Sequence, residues 1–253
     1  MEHTGVYRFA QVRVEIVSVH EEVHRRCAAY AAEGPADFRV RTELKDIRAE
    51  ERRSGEIRLT ESRLESMAVY RKIAERMPEF GAFLFHCSAL AAEGKGFLFA
   101  APSGTGKSTH ARLWRELPGS GVVMINDDKP LIRADGNGGA WVYGTPWDGK
   151  HHLSTNMGVP VQAVCLLERG EKNRIRRISG KEAMPGLLGQ CYRPENPEML
   201  RKTLEMLTGI RVEFYRLQCR PDREAAELAR SVLLGEASSG LPGKTCVHTG
   251  KGI

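Results

Sequence analysis

Val12, Val14 and Ile16 alternate with Arg13 and Glu15, the two-residue period of a strand with one face buried. EEVHRRCAAYAAE (21–33) reads as a short helix and FRVRTEL (38–44) as another strand. The charged stretch KDIRAEERRSGE (45–56) shows no apolar period and reads as a hairpin end or loop. In ESRLESMAVYRKIAERM (61–77), Leu64, Met67, Ala68, Arg71 and Ala74 recur at helical spacing. Glu61 and Glu65 lie early and Lys72 and Arg76 late, as the helix dipole favours, and Pro78 closes the segment.

Farther on, AFLFHCSALAA (82–92) and GFLFAA (96–101) are apolar runs joined by a tight glycine turn, which predicts two strands. A helix over about 107–116 ends at LPGSG, and VVMIN (122–126) is a buried strand running into Asp127-Asp128. LIRADGNGGAWVYG (131–144) reads as a hairpin around Asp135 to Gly139. Strands follow at VPVQAVCLLERG (159–170), NRIRRIS (173–179) and VEFYRLQ (212–218), with helices at about 181–191, 196–208 and 221–234. From Gly235 onward the chain lacks periodicity and reads as a flexible tail. Strands alternating with helices in places, and paired in hairpins elsewhere, predict an α/β fold with a mixed sheet and flanking helices. The organisation expected is a small α+β N-terminal subdomain (1–78), a main domain (79–235) and the tail (236–253).

Charge changes this picture little. The 253 residues carry a net charge of +6, but the basic residues are dispersed and aromatics make up only 7%, so a solvated mixed-charge surface is favoured over nucleic-acid binding. The six cysteines form no C-x-x-C pair and do not cluster with histidines, so neither a zinc site nor a disulfide framework is expected. No apolar stretch approaches the ~18 residues that span a bilayer, and the N-terminus has no apolar leader-like region. A cytoplasmic protein with no membrane partner is the expectation; a homo-oligomer is left open.

The candidate chemistry lies in APSGTGKST (101–109). Small residues let successive backbone N–H groups turn inward around anionic oxygens at a helix N-terminus. Ser103, Gly104, Thr105, Gly106, Lys107, Ser108 and Thr109 are the candidate nucleotide-binding residues, with Lys107 against the β/γ-phosphates and Ser108 on Mg²⁺. Ala101 stands where the usual G-x-x-x-x-G-K-[ST] pattern has its first glycine, which is tolerable if its φ is negative. The plain alternative is a surface turn. Asp127-Asp128, about twenty residues on, can hold Mg²⁺ and accept a proton; the plain alternative is a turn pair after a strand.

FHCSAL, FLFAAPSGTGKST and VVMINDD together resemble the HPr kinase/phosphorylase family, which shares its nucleotide-binding core with the phosphoenolpyruvate carboxykinases. The resemblance covers about residues 80–180 and implies that kind of core. It implies Asp127 as general base and Asp128 as Mg²⁺ partner, an order that could be reversed, and His86 near the γ-phosphate. The alternative for His86 is a histidine satisfied within the sheet. The oxaloacetate-binding arginines of the carboxykinases and the glycine-rich C-terminal signature of HPr kinases are not matched, so decarboxylation and HPr itself are not expected.

YGTPWDGKHHLSTN (143–156) follows the Asp pair by one hairpin and could return over the phosphates, with Lys150 neutralising charge and His151 and His152 reaching substrate; otherwise it is a surface loop with a packing tryptophan. Arg193 and Arg220 are further candidates, against simple helix-end roles, whereas Arg112 and Trp114 read as packing residues. The expected activity is transfer of the ATP γ-phosphoryl group, with Mg²⁺, to a hydroxyl of a peptide serine or a small molecule. A nucleotide-binding regulator and a bifunctional kinase/phosphorylase are the alternatives.

Overall fold

Strand β1 (His3–Phe9) turns through Ala10 and Gln11 into β2 (Val12–Ser18), pairing antiparallel from His3↔Ser18 to Phe9↔Val12. Sequence inspection does not find β1, because the turn lacks its usual signal: Ala10 and Gln11 take positive φ (47° and 68°) without an Asn-Gly pair. This computed structural model describes residues 2–119 and 121–235, so the tail read from the sequence at 236–253, with Cys246, lies outside the described residues. Among the described residues no helix is long and apolar enough to cross a membrane.

Helix α1 (Glu22–Cys27) leads to β3 (Phe38–Arg41), which adds parallel to β2 and completes a three-stranded sheet. The next segment corrects the sequence reading: 45–56 is neither hairpin nor loop but most of helix α2 (Leu44–Ser54). A reciprocal cap between Glu43 and Asp46 starts it. Only Ile47 and Glu50 are buried, so there is no apolar stripe to read; Glu50 instead accepts two bonds from Arg71 on the neighbouring helix, at 2.7 and 3.0 Å. That neighbour, α3 (Glu61–Arg76), starts where expected, capped by the Thr60 hydroxyl. Its Glu65 is fully buried and accepts from the backbone N–H groups of Val19 (2.6 Å) and His20 (2.8 Å) and from the Thr42 hydroxyl (2.6 Å). This one carboxylate ties α3 to the ends of β2 and β3.

The run 82–92 is not one strand. It splits into β4 (Ala82–Leu84) and β5 (Cys87–Ala92), with Phe85 and His86 at the break. The reason lies in their backbones: Phe85 N–H donates to Pro130 O and His86 N–H to Gln190 O, so neither joins the ladder of β5. Then follow β6 (Lys95–Ala100), α4 (Lys107–Glu116), β7 (Val123–Asn126), β8 (Leu131–Ala134), β9 (Ala140–Tyr143), β10 (Gly158–Arg169) and β11 (Arg174–Ile178). After these come α5 (Gly180–Gln190), α6 (Pro197–Gly209), β12 (Glu213–Cys219) and α7 (Arg223–Leu234). These match the expected elements to within a few residues.

The second sheet is mixed, in the order β4-β8-β9-β10-β6-β5-β7, with β12 joining β10 and β11 joining β12. Strand β10 pairs antiparallel with β9 at its start and then runs parallel between β6 and β12. Alternation along the strands divides the core. Leu98, Val164 and Leu166 face Ala183, Leu187 and Leu207 on one side, while Phe97, Phe99 and Cys165 face Trp114, Ala226 and Leu233 on the other. Helices α5 and α6 therefore cover one face and α4 and α7 the opposite one. A third apolar cluster joins the two sheets, combining Phe9, Val14 and Val69 with Leu84, Leu131 and Trp147. The described cysteines, Cys27, Cys87, Cys165, Cys191 and Cys219, are free and buried, as their apolar settings suggest.

Candidate functional site

The strand–loop–helix unit is formed by β6, residues 101–106 and α4. Ala101 is buried and takes no positive φ, so the missing first glycine costs the loop nothing. The conformational burden falls on Gly104 (φ 78°) and Gly106 (φ 121°), a region that side-chain-bearing residues avoid. Gly106 is the N-cap of α4, and no side chain caps that terminus, which leaves its first-turn amides turned toward the loop. Lys107 is buried and donates to the loop's own carbonyls, Ala101 O at 2.8 Å and Pro102 O at 3.4 Å. Burial pushes its ammonium below the ordinary lysine range, against the opposing pull of Asp128 and Asp127.

Loop residues Ser103, Gly104, Gly106, Lys107, Ser108 and Thr109 line a cleft of about 660 Å³. His86, Asp127, Asp128 and Lys150 line the same cleft from three other segments. Thr105 departs from the sequence reading: its hydroxyl turns back onto Pro102 O (2.9 Å), and it lines a separate cavity of about 620 Å³ outside the loop. Arg220 lines that outer cavity, held by Asp222 (2.8 Å) and Glu224 (2.9 Å), and Arg193 lines neither space. Arg112 reaches the cleft rim while paired to Glu116, and Trp114 is packing, fully buried against Phe97 and Phe99.

What positions the acid pair is Asn126, which the sequence reading passes over. Its fully buried side chain accepts from the N–H groups of Asp128 (2.8 Å) and Lys129 (2.7 Å) and donates to Thr145 O (2.9 Å). The strand is thereby turned sharply at its end and locked to the next loop. Asp127 is buried and accepts a 2.6 Å bond from Ser88, two residues past His86 on β5. Asp128 is more exposed and forms an ion pair with Lys129, whose ammonium also lies 5.5 Å from the Tyr70 ring.

His86 sits at the break between β4 and β5. Its Nδ1–H donates to Gln190 Oε1 at 2.9 Å, which leaves Nε2 as the free acceptor, 3.5 Å from Asp128 Oδ1. Burial, then the nearby Lys107, hold its pKa below the usual histidine value, so the ring is neutral at pH 7. Gln190, at the end of α5, has no motif signal; only its place in the fold shows its role.

The 143–156 loop divides its residues. Trp147 does not reach into the cleft but is buried between the sheets, its indole N–H donating to Ser66 O and Oγ at 3.1 Å each. Lys150 and His151 line the cleft, whereas His152 turns toward Asp148 (3.3 Å); the segment is a turn and not the extended backbone expected, with His152 at φ 50°. Among the described residues no group of three or more His, Cys, Asp or Glu side chains could form a metal cage.

His110, on α4 just past the loop, packs edge-on to Phe99 at 4.6 Å, and its Nε2 has no hydrogen-bond partner. Burial lowers its pKa to about 4. Between about pH 6.5 and about 4 the unfolded chain therefore binds more protons than the folded one, and stability falls with falling pH by at most about 1.4 kcal/mol per unit. His110→Leu is expected to narrow the stability difference between pH 7 and pH 4.5, measured by urea denaturation.

This geometry defines a mixed α/β protein whose strand–glycine loop–helix unit faces a carboxylate pair across one cleft. A family model for SynChlorMet cassette protein ScmC matches residues 50–189, more than half of the chain, and the chain belongs to that family. Among solved structures, one similar chain is the Hpr(Ser) kinase/phosphatase from Coxiella burnetii, at 16% identity and a TM-score of 0.31, over 60% of this chain and 88% of that one. No curated protein matches the sequence.

Proposed function

We propose that this protein is a kinase that transfers the γ-phosphoryl group of ATP, with Mg²⁺, to the hydroxyl of an acceptor. The observation that carries the reading is the single cleft into which four separate segments deliver His86, the 103–109 loop, Asp127-Asp128 and Lys150. The residues suit such a ligand. Cβ atoms built on Gly104 and Gly106 would meet nothing within 4 Å, so the loop encloses open space, and the α4 amides and Lys107 are the donors a polyphosphate requires. Mg²⁺ takes one or two carboxylates alongside phosphates and water, so Ser108 and one aspartate suffice without a protein cage. When bound, the ion would neutralise charge on the transferring group.

The two aspartates differ in their surroundings. Asp127 has one oxygen held by Ser88 and no cation bonded to it, a setting that suits a metal ligand. Asp128 already shares an oxygen with Lys129, whose positive charge opposes a metal ion there, and its other oxygen faces His86 Nε2. We therefore assign Asp128 as the general base and Asp127 as the metal partner, exchanging the roles the family resemblance implies. Asp128 takes the hydroxyl proton while the acceptor oxygen forms its bond to the γ-phosphorus. The bond from that phosphorus to the β-bridging oxygen breaks with its electron pair, and ADP leaves. His86 presents its free Nε2 beside Asp128, where it can receive the proton that Asp128 takes up, and Lys150 brings positive charge to the same cleft.

The test is incubation of the full chain with γ-labelled ATP, Mg²⁺ and a panel of small hydroxyl compounds and serine peptides. A labelled phosphoester is expected. ATP bound without label passing to any member of the panel would leave a nucleotide-binding regulator as the better description.

A further inference from the structure

Behind Asp128 lies a second, smaller cavity of about 110 Å³, and Asp128 and Gly149 line both spaces. Gly149 has φ 74°, and a Cβ there would press within 3.2 Å of the Asp128 Cβ, so the partition is one residue thick. The cavity's other walls come from the N-terminal segments: Arg26 of α1, and Arg63 and Tyr70 of α3, with Lys129 beside Asp128. Three cations thus meet in a space large enough for a few water molecules or one small oxyanion.

The balance of charge is incomplete. Lys129 is paired with Asp128, and Arg26 is mostly buried, donating to Pro146 O (3.2 Å) with Asp148 at 3.9 Å. Among the described residues the Arg63 guanidinium has no ion-pair or hydrogen-bond partner. Burial and the neighbouring Arg63 both pull the Arg26 pKa below its ordinary value, the mark of two like charges held near one another. Two half-buried guanidinium groups with a single carboxylate, Asp148, between them favour an incoming anion, and their forked donors match carboxylate and phosphate.

We infer that Arg26, Arg63 and Lys129 form the acceptor subsite, and that the acceptor is a small hydroxyl compound bearing a carboxylate or phosphate. This rests on the phosphoryl-transfer reading: with the anion in this cavity, the hydroxyl lies at the Asp128 partition, facing the phosphate cleft. The cavity is too small for a folded protein segment, which separates this acceptor class from a protein serine.

Three compounds that share hydroxyls but differ in charge test the subsite: glycerate, glycerol 3-phosphate and glycerol. Calorimetric titration of the full chain is expected to show binding of at least one anion, and the tighter of the two names the group recognised. Arg63→Gln should weaken that binding, and raise KM in the transfer assay, at least tenfold while leaving ATP affinity unchanged; Arg63→Lys should restore part of it. Absence of anion binding, an Arg63→Gln variant equal to the parent, or glycerol used as well as the anions would overturn the subsite, and in the last two cases transfer would still stand. Anion binding lost in Arg63→Gln, with no labelled product in the parent, would leave an anion site here but overturn its role as acceptor subsite together with the kinase reading.

Discussion

Asp128→Asn is expected to lower the phosphoryl-transfer rate by about 10²- to 10⁴-fold, the usual contribution of a positioned general base, with ATP affinity unchanged. The substitution keeps the shape of the side chain and leaves the turn intact, because Asn126 holds the backbone N–H of residue 128 and not its carboxylate. The ion pair with Lys129 is lost, but a partly exposed pair of this kind contributes about 0–1 kcal/mol, so the fold survives. Asp127→Asn should behave differently, raising the Mg²⁺ concentration needed for half-maximal rate. Turnover by Asp128→Asn at the parent rate, together with loss of turnover in Asp127→Asn at saturating Mg²⁺, would restore the opposite assignment. Rate against Mg²⁺ concentration for both variants, with calorimetric ATP titrations, makes the measurement.

Glu65→Ala is expected to destabilise the protein by on the order of 3–5 kcal/mol, the cost of deleting one member of a buried charged network. Two backbone N–H groups, the Thr42 hydroxyl and His20 Nδ1 lose an acceptor that is itself fully buried. Glu65→Gln retains one acceptor oxygen and should cost less. Urea midpoints of both variants against the parent check the order. The substitution also bears on function, because Glu65 lies two residues from Arg63 on the helix that walls the smaller cavity. Loosened α3 contacts should therefore weaken anion binding before they weaken ATP binding.

The parts of the site that follow from local chemistry are readable in the chain. Glycine spacing, a strand before and a helix after, and an acid pair ending the next strand are all short-range patterns, and the structure gathers them. The parts set by distant contacts are not. Gln190 meets His86 only because α5 ends beside the β4–β5 break, and Ser88 meets Asp127 only across paired strands. Asn126 carries a local sign, an Asx residue ahead of a turn, that the adjacent aspartates overshadow. Helix α2 escaped because ion pairs replace its apolar stripe, and β1 because its turn has neither glycine nor asparagine. Trp147 takes the packing role, since an indole is spent more readily on a core with a hydrogen-bond partner, here Ser66, while Lys150 and His151 of the same loop line the cleft.

Strand β10 has a consequence for how the molecule comes into being. Its parallel partners β6 and β12 lie far upstream and far downstream, so neither pairing can form as a local hairpin. Each demands closure of a long stretch of chain before any contact rewards it, which places folding in the slow, high-contact-order regime. The carboxylate pair shares this history in part: Asn126 turns the chain locally, but its bond to Thr145 and the Ser88 bond to Asp127 form only once β5, β7 and the 145 loop have docked. No excised peptide carrying the glycine loop would retain the acid pair opposite it. The cleft that joins them is a product of the assembled sheet, not of any one segment.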